Sequence, residues 1–173
     1  MKHLSTSTRA FRSGLSNLAF FILAIAITAC SCKKEANVKE ANVKQTVAFQ
    51  AEFETVSTIL QQGPPEMDVI NGNGLGTPMG KLSFVAHAQF DANNNLTGTI
   101  VATTADGDKI MATISAQTPP DIDASGNITL HFNAKITGGE GKFGAATGSF
   151  AGIAHENIYT SGGAASWDGT INY

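Results

Sequence analysis

From residue 46 to the end of the chain, large apolar side chains recur at every second position, and that period of two most narrows what the chain can become. A strand turns successive side chains to opposite faces, whereas a helical face needs spacings of three and four. Val47, Phe49, Ala51 and Phe53 alternate with Ala48, Gln50, Glu52 and Glu54. Leu82, Phe84, Ala86, Ala88 and Phe90 repeat the pattern, and Ile128, Leu130, Phe132, Ala134 and Ile136 give its cleanest form. Residues 96–104, 109–117, 146–158 and 164–173 alternate as well, the last with Ala165, Trp167, Gly169, Ile171 and Tyr173 in one phase. Turn chemistry separates the runs: residues 91–95, Asp106-Gly107-Asp108, Thr118-Pro119-Pro120 and residues 123–126. The expected architecture is all-β, a single antiparallel barrel or sandwich of about seven strands, or eight if residues 55–60 separate from the first. A closed barrel is favoured because it removes exposed strand edges. Glycines within strand patterns, among them Gly80, Gly98, Gly148, Gly152 and Gly169, suit the bends that closure needs. The run Gly72-Asn73-Gly74-Leu75-Gly76 lacks the Lys-Ser/Thr ending of a phosphate loop and is expected to be a flexible loop.

Composition supports a packed fold. With 42% hydrophobic and 14% charged residues, the chain can bury a core and does not fit disordered, coiled-coil or collagen-like classes. Lys2, Arg9 and Arg12 stand in an N-terminal stretch without acids, which leaves 8 Lys and Arg against 14 Asp and Glu in the rest. That acidic remainder argues against nucleic acid as a partner, since phosphate binding needs clustered cations.

The N-terminal basic head is followed by the apolar run 18–29, too short for a membrane span of about 20 residues but suited to a secretory signal. Ile27-Thr28-Ala29-Cys30 resembles the lipobox of bacterial lipoproteins, in which cleavage precedes the Cys and the thiol is acylated. Bulky Ile27 disfavours ordinary cleavage after Ala29, which prefers a small side chain three residues before the cut. The organisation expected is a signal peptide over 1–29, a lipidated Cys30 and flexible tether over 30–45, and a barrel domain over 46–173. The tether carries Glu35-Ala36-Asn37-Val38-Lys39 twice, as residues 35–39 and 40–44, and reads as a solvated stalk. The lipoprotein resemblance implies a membrane partner through the anchor. Ser31 in place of Asp implies an outer-membrane address, facing the periplasm or the outside. Cys30 and Cys32 are the chain's only cysteines, so a lipidated Cys30 leaves no internal disulfide and no zinc set.

Residues 136–150, Ile-Thr-Gly-Gly-Glu-Gly-Lys-Phe-Gly-Ala-Ala-Thr-Gly-Ser-Phe, resemble the GGTGxFxxAxG signature of allene oxide cyclase and dirigent proteins, with Glu140 where Thr is usual. Residues 74–83 resemble a family stretch that opens an early strand, residues 104–113 its hairpin, and residues 167–171 its closing strand. The resemblance spans residues 46–173 and is nearest to a bacterial branch without assigned function. It implies an allene-oxide-cyclase-like barrel, with Phe143 tucked over one end, and in its plant members a reactive ligand guided inside. Dimers and trimers occur in those families, so a homo-oligomer is compatible with the chain. No catalytic residue of those families aligns to a motif here.

No G-x-S-x-G elbow, H-E-x-x-H helix or Cys-His nucleophile arrangement occurs, and no cofactor, metal or catalytic residue is assigned. His87 and His131 fall in the polar phase of their strands, and His155 lies mid-strand; all three read as surface or satisfied histidines. Asp106-Gly107-Asp108 and Asp121-Ile122-Asp123 read as turn chemistry rather than a calcium loop. Phe49, Phe53, Phe84, Phe90, Phe132 and Trp167 share the apolar phase and either fill the barrel or line a cavity for a small apolar ligand. Three functions remain: a lipid-anchored binding module for a small apolar ligand or an envelope partner, an isomerase, cyclase or dirigent-type activity on a hydrophobic substrate, and a structural envelope lipoprotein.

Overall fold

The computed structural model describes residues 44–116 and 118–173. The expected signal peptide, Cys30 and most of the expected tether lie outside the described residues. The alternating runs become strands β1 (Thr46–Gln61), β2 (Glu66–Thr77), β3 (Gly80–Phe90), β4 (Leu96–Thr104), β5 (Lys109–Ala116), β6 (Asp121–Ile122), β7 (Asn127–Glu140), β8 (Thr147–Asn157) and β9 (Gly162–Asn172), with one 3-10 turn at Gly141–Phe143. All pair antiparallel in the order β5-β4-β3-β2-β1-β9-β8-β7, and β5 pairs again with β7 to close an eight-stranded barrel. The short β6 is a ninth strand laid against β7 outside the ring. The described residues lie within one compact unit. Every strand partner and the whole hydrophobic core lie inside it, so this stretch holds what an independent fold requires.

One alternative is resolved and one expectation is corrected. Residues 55–60 do not separate; they continue β1 as a single long strand. The Gly72–Gly76 run is not a loop but the middle of β2, paired with both β1 and β3. Its inward face is glycine because a ring from the next strand already fills that space. Gly72 is the register partner of Phe84, and a Cβ at Gly72 would lie 2.0 Å from the Phe84 ring. Gly152 of β8 likewise faces Phe132 of β7, with a Cβ 2.1 Å from that ring. Such cross-strand pairs of large on small keep the barrel interior at packing density.

The hairpin loops follow their local sequences. In residues 91–95 and 123–127 the leading Asp accepts from the backbone N–H groups two and four positions on and from the closing Asn side chain. Those donors, the Asn side chain first, hold the Asp91 and Asp123 carboxyls below their ordinary range. Asn94, Gly107 and Gly126 supply the positive φ that each loop requires.

Adjacent strands run in opposite directions, so the barrel has two distinct ends. One holds the chain entry at Lys44, the 105–108 turn and the 3-10 turn. There Phe143 is fully buried and packs edge-on against Tyr173 at 4.8 Å, which plugs that end. In mid-barrel Trp167 is the hub of an aromatic cluster, with ring centroids 4.4 Å from Phe53, 4.7 Å from Phe150, 4.9 Å from Phe84 and 6.1 Å from Phe49. Toward the other end the filling thins out, and Ala88, Ala116, Ala154 and Ala165 stand inward beside the larger Phe90, Leu96 and Leu130.

Candidate functional site

The consequence of that taper is a funnel of about 280 Å³ at the unplugged end. Its lining includes Ile70, Phe90, Ile128 and Leu130 from the strands and Pro120 and Ile122 from the segment that carries β6. Beneath it lies a smaller cavity of about 40 Å³, bounded by Thr55, Phe84, Phe132 and Trp167 among others. The two share Ile70, Leu130, Ala154 and Glu156, so the inner cavity is the floor of the funnel. The floor has room for about one or two water-sized groups.

The wall has two chemistries. On the β3-β4-β5-β7 arc the two cavities meet apolar side chains such as Phe90, Leu96, Ile114 and Leu130. The β2-β1-β9-β8 arc carries Glu66, Asp68, Thr55 and Glu156. Glu156 accepts a hydrogen bond from Ser57 at 2.7 Å. Asp68 is partly buried, and that desolvation, followed by repulsion from Glu66 and Glu156, pushes its carboxyl from its ordinary 3.8 up to about 6. One Asp68 oxygen, the Thr55 hydroxyl and the Trp167 indole N–H are buried without a hydrogen-bond partner in the protein. Buried polar atoms of this kind are uncommon in folded proteins and point to a group that the chain itself does not supply.

Of the aromatic residues singled out from sequence, Phe84, Phe132 and Trp167 line the floor and Phe90 lines the funnel. Phe49 and Phe53 lie in the packed cluster of the mid-barrel instead. His87, His131 and His155 are exposed, and among the described residues no three His, Cys, Asp or Glu side chains are close enough to hold a metal ion. Glu66, Asp68, Thr55 and Glu156 escaped sequence reasoning. Glu156 was visible in principle, because it shares its phase with Phe150, Gly152 and Ala154. Asp68 shares the phase of Ile70, but only once residues 66–77 are read as a strand.

No protein-family model, no curated protein and no solved structure matches this chain.

Proposed function

We propose that the protein is a lipid-anchored barrel of the bacterial cell envelope, held at the outer membrane through Cys30, that binds a small, largely apolar ligand in its funnel. The observation that carries this reading is the funnel itself: one end of the barrel is plugged by Phe143, while the other is left hollow by alanines and walled by apolar side chains. Such concave, mostly apolar spaces with a few polar groups are the usual form of small-molecule sites, and 280 Å³ falls near the small end of their range. The lipobox-like head and the likeness of residues 136–150 to allene oxide cyclase and dirigent proteins agree with it. The chain enters at the plugged end, so the tether's attachment leaves the funnel free.

Native mass spectrometry of residues 40–173, after exposure to an extract of envelope lipids and small metabolites, tests the reading. The expected result is a reproducible non-covalent adduct that is lost in Ala154→Phe, which fills the wall shared by funnel and floor. A bare mass under every condition overturns ligand binding and leaves a structural or partner-binding module.

A second reading, an isomerase or cyclase acting on the bound molecule, draws on Asp68. A carboxyl with a pKa of about 6 beside an apolar pocket can give and take a proton near neutral pH. It predicts that the adduct is recovered chemically changed from the wild type and unchanged from Asp68→Asn.

A further inference from the structure

We infer that the ligand of the funnel is an amphipathic cation: a compact apolar body seated against the Phe90–Leu130 side, with a protonated amine on the opposite wall between Asp68 and Glu156. The inference rests on the funnel being a binding site and names what that site selects.

Three features converge on it. The first is uncompensated charge. Glu66, Asp68 and Glu156 border one apolar space, and none of the ion pairs among the described residues involves them. Among the described residues the lysines stand elsewhere: Lys44, Lys81, Lys109 and Lys142 at the plugged end, and Lys135 exposed on β7. A partly desolvated carboxylate without a partner is costly, and a cation that enters the funnel removes that cost.

The second is the set of orphaned acceptors. Asp68 Oδ1 and Thr55 Oγ1 are buried without partners, and Thr55 itself is only 4% exposed, in the inward phase of β1 at the floor; the third orphan, the Trp167 indole N–H, is a donor that the ammonium does not engage. Thr55 pairs with Gly163 on β9, and Gly163 pairs with Glu156 on β8, so hydroxyl and carboxylate stand at one level of the barrel. Glu156 gives one oxygen to Ser57 and keeps the other. A carboxylate oxygen accepts only, a hydroxyl can accept, and an ammonium brings three donors and no acceptor.

The third is the division of the wall. Apart from Asn94 between β3 and β4, the hydrogen-bonding side chains Glu66, Asp68, Thr55 and Glu156 stand on β2, β1 and β8, beside apolar Ile70 and Ala154, while β3, β4, β5 and β7 contribute apolar side chains. A ligand that satisfies both sides at once must itself be two-sided.

The groups facing Asp68 fix the pH dependence. Glu66 lies on its own strand and Glu156 on β8. Neighbouring β1 brings the hydroxyls of Ser57 and Thr55, and β3 pairs Ala88 and Phe90 with Asp68 and Glu66. His87 and His155 are exposed and outside the funnel lining. Protonation of Asp68 therefore removes attraction for a cation without any compensating group nearby.

The test compares hexylamine, hexanol and hexanoate, which share an apolar chain and differ in head-group charge. Binding to residues 40–173 is followed by calorimetry and by the emission of Trp167, the chain's only tryptophan and part of the floor. At pH 7.5 hexylamine is expected to bind about tenfold or more tightly than hexanol, with hexanoate weakest. The gap between amine and alcohol is expected to narrow at pH 5, and in Asp68→Asn and Glu156→Gln, while hexanol affinity stays the same or rises. Equal affinities for amine and alcohol, both lost in Ala154→Phe, overturn the cation preference and leave the apolar binding site standing. Absence of binding by all three overturns the inference and the binding reading together.

Discussion

Asp68 stands on the lumen side of β2, and partial burial, with repulsion from Glu66 and Glu156, pushes its carboxyl up to about 6 from an ordinary 3.8. Between those two pH values the folded protein binds the proton more tightly than the unfolded chain does. Stability contributed by this group therefore falls as pH rises from about 4 to about 6, and ionised Asp68 is a net cost at neutral pH. Asp68→Asn is expected to raise the Tm at pH 7.5 and to leave it unchanged, relative to wild type, at pH 4. Thermal melts of the two proteins at both pH values check this. A lower Tm for the variant at pH 7.5 would mean that the carboxylate has a stabilising partner in the fold. Under the proposed reading the same residue joins stability to function, because the charge that costs the fold is the charge offered to the proposed ligand.

At the scale of the element, β2 departs most from its expectation. Alternation identifies a strand only where one phase is apolar, and β2 places Gly72, Gly74 and Gly76 inward. The apolar groups that fill its share of the interior belong to β3, where Phe84 and Leu82 lean over Gly72 and Gly76. The signal for the strand is therefore written in its neighbour. Gly72→Ala places a methyl where the Phe84 ring now stands and is expected to cost about 1 to 3 kcal/mol. Urea denaturation of Gly72→Ala, and of Gly72→Ala with Phe84→Leu, measures this. The double variant should recover part of the loss, since the two positions share one space. Additive losses would show that the glycine is needed for its backbone instead. By contrast β3, β7 and β9, with large apolar residues in one phase, were legible outright.

For the molecule as a whole, closure between β1 and β9 and between β5 and β7 gives every strand of the ring two neighbours and creates two unlike ends. The plugged end carries the ion pairs Lys109 to Glu140 at 2.8 Å and Lys142 to Asp108 at 3.3 Å. The open end carries Glu66, Asp68, Asp91, Asp121, Asp123 and Glu156, and no lysine or arginine among the described residues. Ile122, Ile158 and Tyr159 stand exposed beside the funnel. The proposed anchor belongs to this scale because it decides where the barrel works. Cys30→Ala in cells is expected to shift the protein from the membrane pellet to the soluble envelope fraction. Retention in the pellet by the variant would sink lipidation at Cys30.

By itself the sequence determined the strand class, the antiparallel connections and the inward phase of most strands. Each rests on neighbours along the chain: the alternation of Phe and Ala, an Asp that caps its own hairpin, a glycine able to take positive φ. It also placed Phe84, Phe90, Phe132 and Trp167 inside. Only the tertiary structure decided that the aromatic rings fill the middle of the barrel and stop short of one end. That depends on which residues from eight strands stand at the same level, and level is set by register and strand tilt across the ring. For the same reason Asp68 and Glu156, nearly ninety positions apart in sequence, share a funnel that no reading of either strand alone would bring together.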